Sequence, residues 1–120
     1  MIAFVDDDDD ILEGLKAWAA YSGLEATYHD SAESLLAWLH HHAERHSAAS
    51  PILGKAVIDF NLPGINGLEL INQLRQQQPD LPVVMISARS VDDLGFQALP
   101  EQVVFLKKPF QLSALKAALI

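Results

Sequence analysis

The chain has 120 residues, half of them hydrophobic, and a formal net charge of −8 from 16 acidic and 8 basic side chains. This length fits one domain with a sizeable core, and the negative charge excludes the basic footprint typical of nucleic-acid binding. Because there is no cysteine, no basic leader and no apolar run near the ~18 residues of a membrane span, we predict a cytosolic protein without disulfides or membrane contact.

The first predicted element is a strand that runs directly into five aspartates. The strand covers Ile2–Val5, and the aspartates are residues 6 to 10. A buried strand that ends in carboxylates indicates a cation site, since hard cations such as Mg²⁺ prefer oxygen ligands. We assign Asp6 and Asp7 to the cation, and the three aspartates after them to the first turn of the next helix, whose positive end favours acidic side chains.

The rest of the chain alternates between short apolar runs and segments with helical spacing. The predicted strands are Ile2–Val5, Glu25–His29, Lys55–Ile58, Val83–Ile86 and Val103–Leu106. Helical spacing of apolar side chains occurs at Ile11, Leu15 and Trp18 and again at Leu68, Ile71 and Leu74. Strands that are apolar on both faces and separated by helices predict an α/β protein with a doubly wound, five-stranded parallel sheet, the (βα)₅ arrangement.

Sequence signals also mark where helices begin and where the pattern is less regular. Capping boxes are predicted for Asp30 with Glu33, Asn66 with Glu69, and Ser90 with Asp93. Residues 46 to 54 are predicted to form a loop. The helix predicted between residues 90 and 99 is short, because Gly95 weakens it and Pro100 ends it.

A run of histidines at positions 40, 41, 42 and 46 could suggest a metal site. No carboxylate or cysteine cluster accompanies it, so we interpret it as the solvated end of a helix. Trp18 and Trp38 have helical spacing relative to aliphatic neighbours, which favours packing over ligand stacking.

Polar side chains follow the third, fourth and fifth predicted strands where each strand ends. They are Asp59, Ser87 and Lys108. Because the carboxyl ends of parallel strands share one edge of a sheet, we expect these side chains to meet the aspartates that follow the first strand. A carboxylate nucleophile, a metal and an ammonium together suit phosphoryl transfer, with Asp59 as the nucleophile and with Ser87 and Lys108 as partners of phosphoryl oxygens.

Four motifs in this order resemble the receiver domain of two-component response regulators. They are Val5-Asp6-Asp7, Asp59-Phe60-Asn61-Leu62-Pro63-Gly64-Ile65-Asn66-Gly67, Ser87-Ala88 and Lys108-Pro109-Phe110. The resemblance spans nearly the whole chain. It implies a flavodoxin-like receiver fold with strand order 2-1-3-4-5.

The resemblance also implies a phosphoacceptor and a metal site. Asp59 would accept the phosphoryl group. Mg²⁺ or Mn²⁺ would be held by Asp7, Asp59 and the backbone carbonyl of Asn61, and through water by Asp6.

Further roles in the conformational switch follow from the same resemblance. Ser87 would be the switch hydroxyl and Lys108 the phosphate partner. Phe105 occupies the position of the switch aromatic residue, and the Lys108–Pro109 peptide bond is expected to be cis.

The expected partners are also those of the family. A sensor histidine kinase would supply the phosphoryl group, and the switched surface would control an output domain, expected to be transcriptional. Residues 1–120 would form the receiver module at the N-terminus of a longer regulator that continues beyond the fifth helix. A homodimer through the last helix or the face around the fourth helix remains open, and no direct nucleic-acid contact is expected from this domain.

Two other functions remain open from the sequence. An aspartate-nucleophile phosphohydrolase of the haloacid dehalogenase type would use Asp6-x-Asp8 after the first strand as its opening motif. A degenerate receiver that acts only as a constitutive interaction module would explain the unusual segment 91 to 102. Under the leading hypothesis the chain is a signalling phosphoacceptor and not a turnover enzyme.

Overall fold

The computed structural model describes residues 1–45, 53–90, 92–93 and 100–119. The strands in this part of the chain are β1 (Ile2–Val5), β2 (Ala26–His29), β3 (Lys55–Asp59), β4 (Val83–Ser87) and β5 (Val103–Lys107). The helices are α1 (Asp9–Ser22), α2 (Ala32–Arg45), α3 (Gly67–Gln77) and α4 (Leu112–Leu119). None of the described helices is long and apolar enough to cross a membrane.

The five strands form one parallel sheet in the order β2-β1-β3-β4-β5, which confirms the predicted fold class and strand order. Three strands extend one residue further than predicted, to Asp59, Ser87 and Lys107. The backbone ladder continues through these polar residues although the apolar pattern has ended, because main-chain pairing does not depend on side-chain polarity. The polar side chains therefore occupy fixed positions within or directly after the sheet.

The sheet is covered on both faces, and alternate side chains of its central strands enter two separate cores. One core lies on the side of α2 and α3 and contains buried Leu35, Ile58 and Leu70. The other lies on the side of α1 and α4 and contains buried Phe4 and Leu115. Each fully buried aliphatic or aromatic side chain contributes about 1.5–3 kcal/mol, so both cores hold the strand ends rigidly.

The tryptophans and histidines behave largely as predicted. Trp18 packs against the core beside α1 and α4, and Trp38 packs against the core beside α2 and α3. The ring of His42 stacks on Trp38 with 5.0 Å between centroids. The predicted helix end at His40 to His42 is therefore in α2, with His42 half-buried, whereas His46 lies outside the described residues.

Helix starts agree with the sequence at two places and differ at one. The Asp8 side chain accepts hydrogen bonds from the backbone N–H groups of Asp10 and Ile11 at 3.0 and 3.3 Å, so the later aspartates do start a helix. Asn66 Oδ1 accepts from Glu69 N at 2.9 Å, as predicted. The prediction of Asp30 as the cap of α2 was wrong.

The residue that takes this role is Ser31, whose hydroxyl accepts a hydrogen bond from Ser34 N at 3.1 Å. Both Asp and Ser are good caps, and α2 begins at Ala32, which leaves Ser31 in the capping position. For the third predicted box, Ser90 Oγ accepts from Asp93 N at 3.2 Å. The short helix predicted there, most of the 46 to 54 loop and the end at Ile120 lie outside the described residues.

Candidate functional site

Three carboxylates converge at the carboxyl ends of β1 and β3, where the strand order of the sheet reverses direction. Oxygens of Asp6, Asp7 and Asp59 all lie within 4.8 Å of one another. The side chains of Asp6 and Asp59 are buried, whereas Asp7 is exposed. The carboxylates are oriented by backbone amides, since Asp6 Oδ1 accepts from Asp8 N at 2.9 Å and Asp59 Oδ1 accepts from Asn61 N at 3.0 Å.

The ammonium of Lys108 lies between the two buried carboxylates. Lys108 Nζ donates a hydrogen bond to Asp59 Oδ2 at 2.9 Å and forms an ion pair with Asp6 Oδ2 at 2.9 Å. The backbone of Lys108 is fixed as well, because its N–H donates to the carbonyl of Ser87 at 2.7 Å. The Lys108–Pro109 peptide bond is cis. Topology therefore brings a residue 49 positions after Asp59 into direct contact with it.

Two further predicted residues lie on neighbouring strands. Ser87 is fully buried at the end of β4, and its Oγ accepts a hydrogen bond from Arg89 N at 3.0 Å. That contact leaves the hydroxyl hydrogen available for donation. Phe105 is half-buried in β5 and packs against the core beside α2 and α3.

The loop between β3 and α3 approaches the site closely because two glycines allow it. Gly67 N donates to the carbonyl of Phe60 at 2.9 Å, and a Cβ at position 67 would lie only 2.7 Å from the backbone oxygen of Asp59. Gly64 has a φ of 74°, a conformation that favours glycine. The start of α3 is thus packed directly on the end of the strand that carries Asp59.

Burial changes the proton affinity of the site. Desolvation raises the pKa of Asp6 from 3.8 to about 6, even though the hydrogen bond from Asp8 N and the nearby Lys108 ammonium lower it. The pKa of Lys108 is raised; burial acts against the charged form, but the hydrogen bonds and charges of Asp59 and Asp6 outweigh it. The folded protein therefore favours the charged form of Lys108 and disfavours the charged form of Asp6.

The shifted pKa of Asp6 predicts an unusual dependence of stability on pH. Between 3.8 and about 6 the folded state binds more protons at Asp6 than the unfolded state does. Without divalent metal, this group therefore lowers the free energy of unfolding as pH rises through that window.

Asp6→Asn removes the titration while preserving the shape of the side chain. As pH rises from 3.8 to about 6, we expect the free energy of unfolding of the variant to increase relative to that of wild type by up to roughly 3 kcal/mol. The size follows because one pKa unit corresponds to about 1.36 kcal/mol. Urea denaturation in the presence of a chelator measures this difference. A relative stability independent of pH would contradict it.

Two features of the site were not predicted from the sequence. An apolar hollow of about 370 Å³ lies beside Lys108 and is lined by Ile11, Ala88, Pro109 and Phe110. Glu33, predicted only as a capping partner, has its carboxylate at the β3–α3 loop and accepts a hydrogen bond from Ile65 N at 3.2 Å. The apolar residues in the first turn of α1 and directly after β4 and β5 were a weak signal for the hollow. No local pattern indicates a contact between residues 32 positions apart.

The arrangement can bind a hard cation and can present a buried carboxylate to an electrophile. Its donors are carboxylate oxygens, the ligands that Mg²⁺ and similar ions prefer. The two buried carboxylates of Asp6 and Asp59 share the ammonium of Lys108, so a cation could offset the negative charge that this ammonium does not balance. The ammonium of Lys108 is placed to balance charge on any group that reaches Asp59.

Comparison with known proteins identifies the family of the chain. The model of the response regulator receiver domain family matches residues 2–120. Transcriptional regulatory protein PrrA of Mycobacterium tuberculosis is 37% identical over 120 aligned residues, covering 97% of this chain and 46% of PrrA. Transcriptional regulatory protein FixJ of Azorhizobium caulinodans is 33% identical over 116 residues, covering 95% of this chain and 50% of FixJ. The chain thus spans about half the length of these curated relatives.

Solved structures show the same fold. A response regulator receiver domain protein from Clostridium thermocellum superimposes with a TM-score of 0.80 over 98% of this chain and 89% of that one, at 20% sequence identity. The family match covers nearly the whole chain. The chain therefore belongs to the response regulator receiver domain family.

Proposed function

We propose that this chain accepts a phosphoryl group on Asp59 from the phosphohistidine of a sensor histidine kinase, in a reaction that requires Mg²⁺ or Mn²⁺. The observation that carries the proposal is that oxygens of buried Asp59 and two further carboxylates lie within 4.8 Å of one another, with the Lys108 ammonium 2.9 Å from Asp59. The Asp59 carboxylate can act as the nucleophile that attacks phosphorus. The Lys108 ammonium, 2.9 Å away, can offset the negative charge of the transferred phosphoryl group.

The metal would be held by Asp7, Asp59 and the backbone carbonyl of Asn61, with Asp6 acting through water. The donor set fits such an ion, since three carboxylates converge and all offer oxygen. When bound, the metal supplies positive charge that offsets the negative charge of the phosphoryl oxygens.

The side chains of the protein perform the transfer itself. An Oδ oxygen of Asp59 forms the new bond to phosphorus as the phosphorus–nitrogen bond of the donor breaks, and the imidazole leaves with the electron pair. Lys108 changes partner from the Asp59 carboxylate to a phosphoryl oxygen, which a short displacement of Nζ permits. Ser87 donates its hydroxyl hydrogen to another phosphoryl oxygen.

Recruitment of Ser87 and Lys108 provides the conformational switch. Movement of these residues shifts the β4 and β5 ends, and Phe105 on β5 changes its packing in response. The altered surface would control an output domain. The similarity to proteins named as transcriptional regulators supports a transcriptional output. The position of residues 1–120 at the N-terminus of a longer regulator stays a prediction from the sequence.

The remaining parts of the proposal come from the sequence. The domain acts as a signalling phosphoacceptor that participates in its own phosphorylation and dephosphorylation and is not a turnover enzyme. It works in the cytoplasm, contacts no nucleic acid or membrane itself, and could pair with a second copy. Nothing in the described part of the chain favours the phosphohydrolase, and the segment that motivated the constitutive module lies largely outside that part.

The test is phosphoryl uptake by the purified chain. Incubation with a small acyl phosphate donor and Mg²⁺ should add one phosphoryl group, detected as a mass increase of the intact protein. Addition of a chelator should reduce uptake to background, because the acidic site then lacks its metal. Failure of the folded wild-type chain to take up a phosphoryl group, from this donor or from a histidine kinase, would overturn the proposal.

A further inference from the structure

We propose that Glu33 is a positioning residue for the phosphoacceptor loop, defined as residues 60–66 between β3 and α3. Its carboxylate holds this loop at Ile65, near the start of α3, so that the Asn61 carbonyl stays in place for the metal. The inference rests on the proposed function, since it concerns how the metal site is kept assembled. Glu33 itself is not placed among the metal ligands.

The contact between α2 and the loop is direct. Ile65 N donates a hydrogen bond to Glu33 Oε1 at 3.2 Å. Beside it, a Cβ at position 64 would lie 3.0 Å from Oε1 and 3.1 Å from Oε2, so the loop backbone passes close to the carboxylate. A side chain at position 64 would displace the flexible carboxylate by only a few tenths of an ångström, so the backbone conformation is the main reason for glycine there. The φ of Gly64 is 74°, and it turns the chain at this point.

Other hydrogen bonds of the loop backbone hold its beginning. Phe60 N donates to the carbonyl of Ile86 on β4 at 2.9 Å, and Asn61 N donates to Asp59 Oδ1 at 3.0 Å. The Glu33 bond acts near the other end of the loop, at Ile65, and it joins that end to α2.

Glu33 is itself anchored to the end of the sheet that carries Asp6. It lies in the first turn of α2, which Ser31 caps by accepting from Ser34 N at 3.1 Å. The strand before α2 ends at His29, whose carbonyl accepts from Asp6 N at 3.0 Å. Through these bonds Glu33 links the loop of Asn61 to the strand end of Asp6, and so it sets the spacing between two sides of the proposed metal site.

Glu33→Ala should therefore weaken Mg²⁺ binding to the unphosphorylated chain by roughly three- to tenfold, which is the range expected for the loss of one hydrogen bond to a loop. Glu33→Gln keeps an acceptor oxygen, and its affinity should stay close to that of wild type. NMR titration with Mg²⁺ alone measures both. In metal-free protein, the Ile65 amide signal should shift in the alanine variant and be largely restored in the glutamine variant.

The control for the loss of one negative charge is Glu13→Ala, which removes an exposed carboxylate from α1. Equal affinities for wild type and Glu33→Ala would overturn the inference, as would equal losses in the Ala and Gln variants, because the effect would then come from charge alone. Failure of wild type to bind Mg²⁺ would overturn the proposed function instead. The Ile65 amide would still decide whether Glu33 holds the loop.

Discussion

Asp59→Asn abolishes phosphoryl uptake from a small donor in the presence of Mg²⁺, with a loss of roughly 10³-fold or more expected when a nucleophile is removed. Asparagine preserves the size of the side chain and can still accept the hydrogen bond that Asn61 N gives to Asp59 Oδ1. The fold should therefore persist while the attacking carboxylate oxygen is lost. Intact-protein mass spectrometry measures the uptake, and peptide mapping of wild type locates the phosphoryl group.

The matched control for this variant is Asp9→Asn. Asp9 is an exposed aspartate in the first turn of α1, and its replacement removes the same charge close to the site. Uptake by the control should remain near the wild-type level. Uptake retained by Asp59→Asn would contradict the assignment of the nucleophile. Phosphatase turnover that is lost in Asp6→Asn and kept in Asp59→Asn would instead favour the phosphohydrolase.

Lys108→Met destabilises the metal-free protein by about 1–3 kcal/mol at about pH 8, because it leaves two buried carboxylates without their ammonium. The estimate lies below the 3–5 kcal/mol typical of a fully buried pair, since the Lys108 side chain is 18% exposed and water can compensate part of the loss. Urea denaturation with a chelator present measures the free energy of unfolding.

The destabilisation should depend on pH and on Mg²⁺ in a specific way. It should shrink as pH falls below about 6, where Asp6 becomes protonated and no longer needs a counter-charge. Mg²⁺ should also restore part of the stability, since it can replace the missing positive charge.

The matched control is Lys107→Met, which removes an adjacent ammonium that is exposed. It should change stability by less than about 0.5 kcal/mol, as is usual for surface substitutions. Equal losses in the two lysine variants would show that the contact of Lys108 with Asp6 and Asp59 does not stabilise the fold.

The sheet and the acidic edge could be predicted because both depend on patterns that are local in the sequence. Apolar strands separated by helical spacing indicated a parallel sheet, and a parallel sheet brings Asp6, Asp59 and Lys108 to one edge. The helix that begins after Asp8 could be predicted for the same reason, since acidic residues at a helix start act on amides only two or three positions away.

What could not be predicted depends on details that local patterns do not contain. Asp30 and Ser31 are both suitable caps, and the choice between them depends on how α2 packs on the sheet. The contact of Glu33 with Ile65 depends on the relative placement of α2 and the loop after β3. Lys108 was predicted as a phosphate partner. Its position between two carboxylates in the unphosphorylated protein depends on how the ends of β1, β3 and β5 are placed relative to one another.

The close approach at Gly67 limits which sequences this site can tolerate. A methyl group there would meet the backbone of Asp59 at 2.7 Å and of Phe60 at 2.8 Å, and backbone atoms cannot move aside as a flexible side chain can. Gly14 on α1, in contrast, has open space around it. In a survey of all single substitutions for phosphorylation, position 67 should therefore rank with the acidic residues, although glycine contributes no chemical group to the reaction.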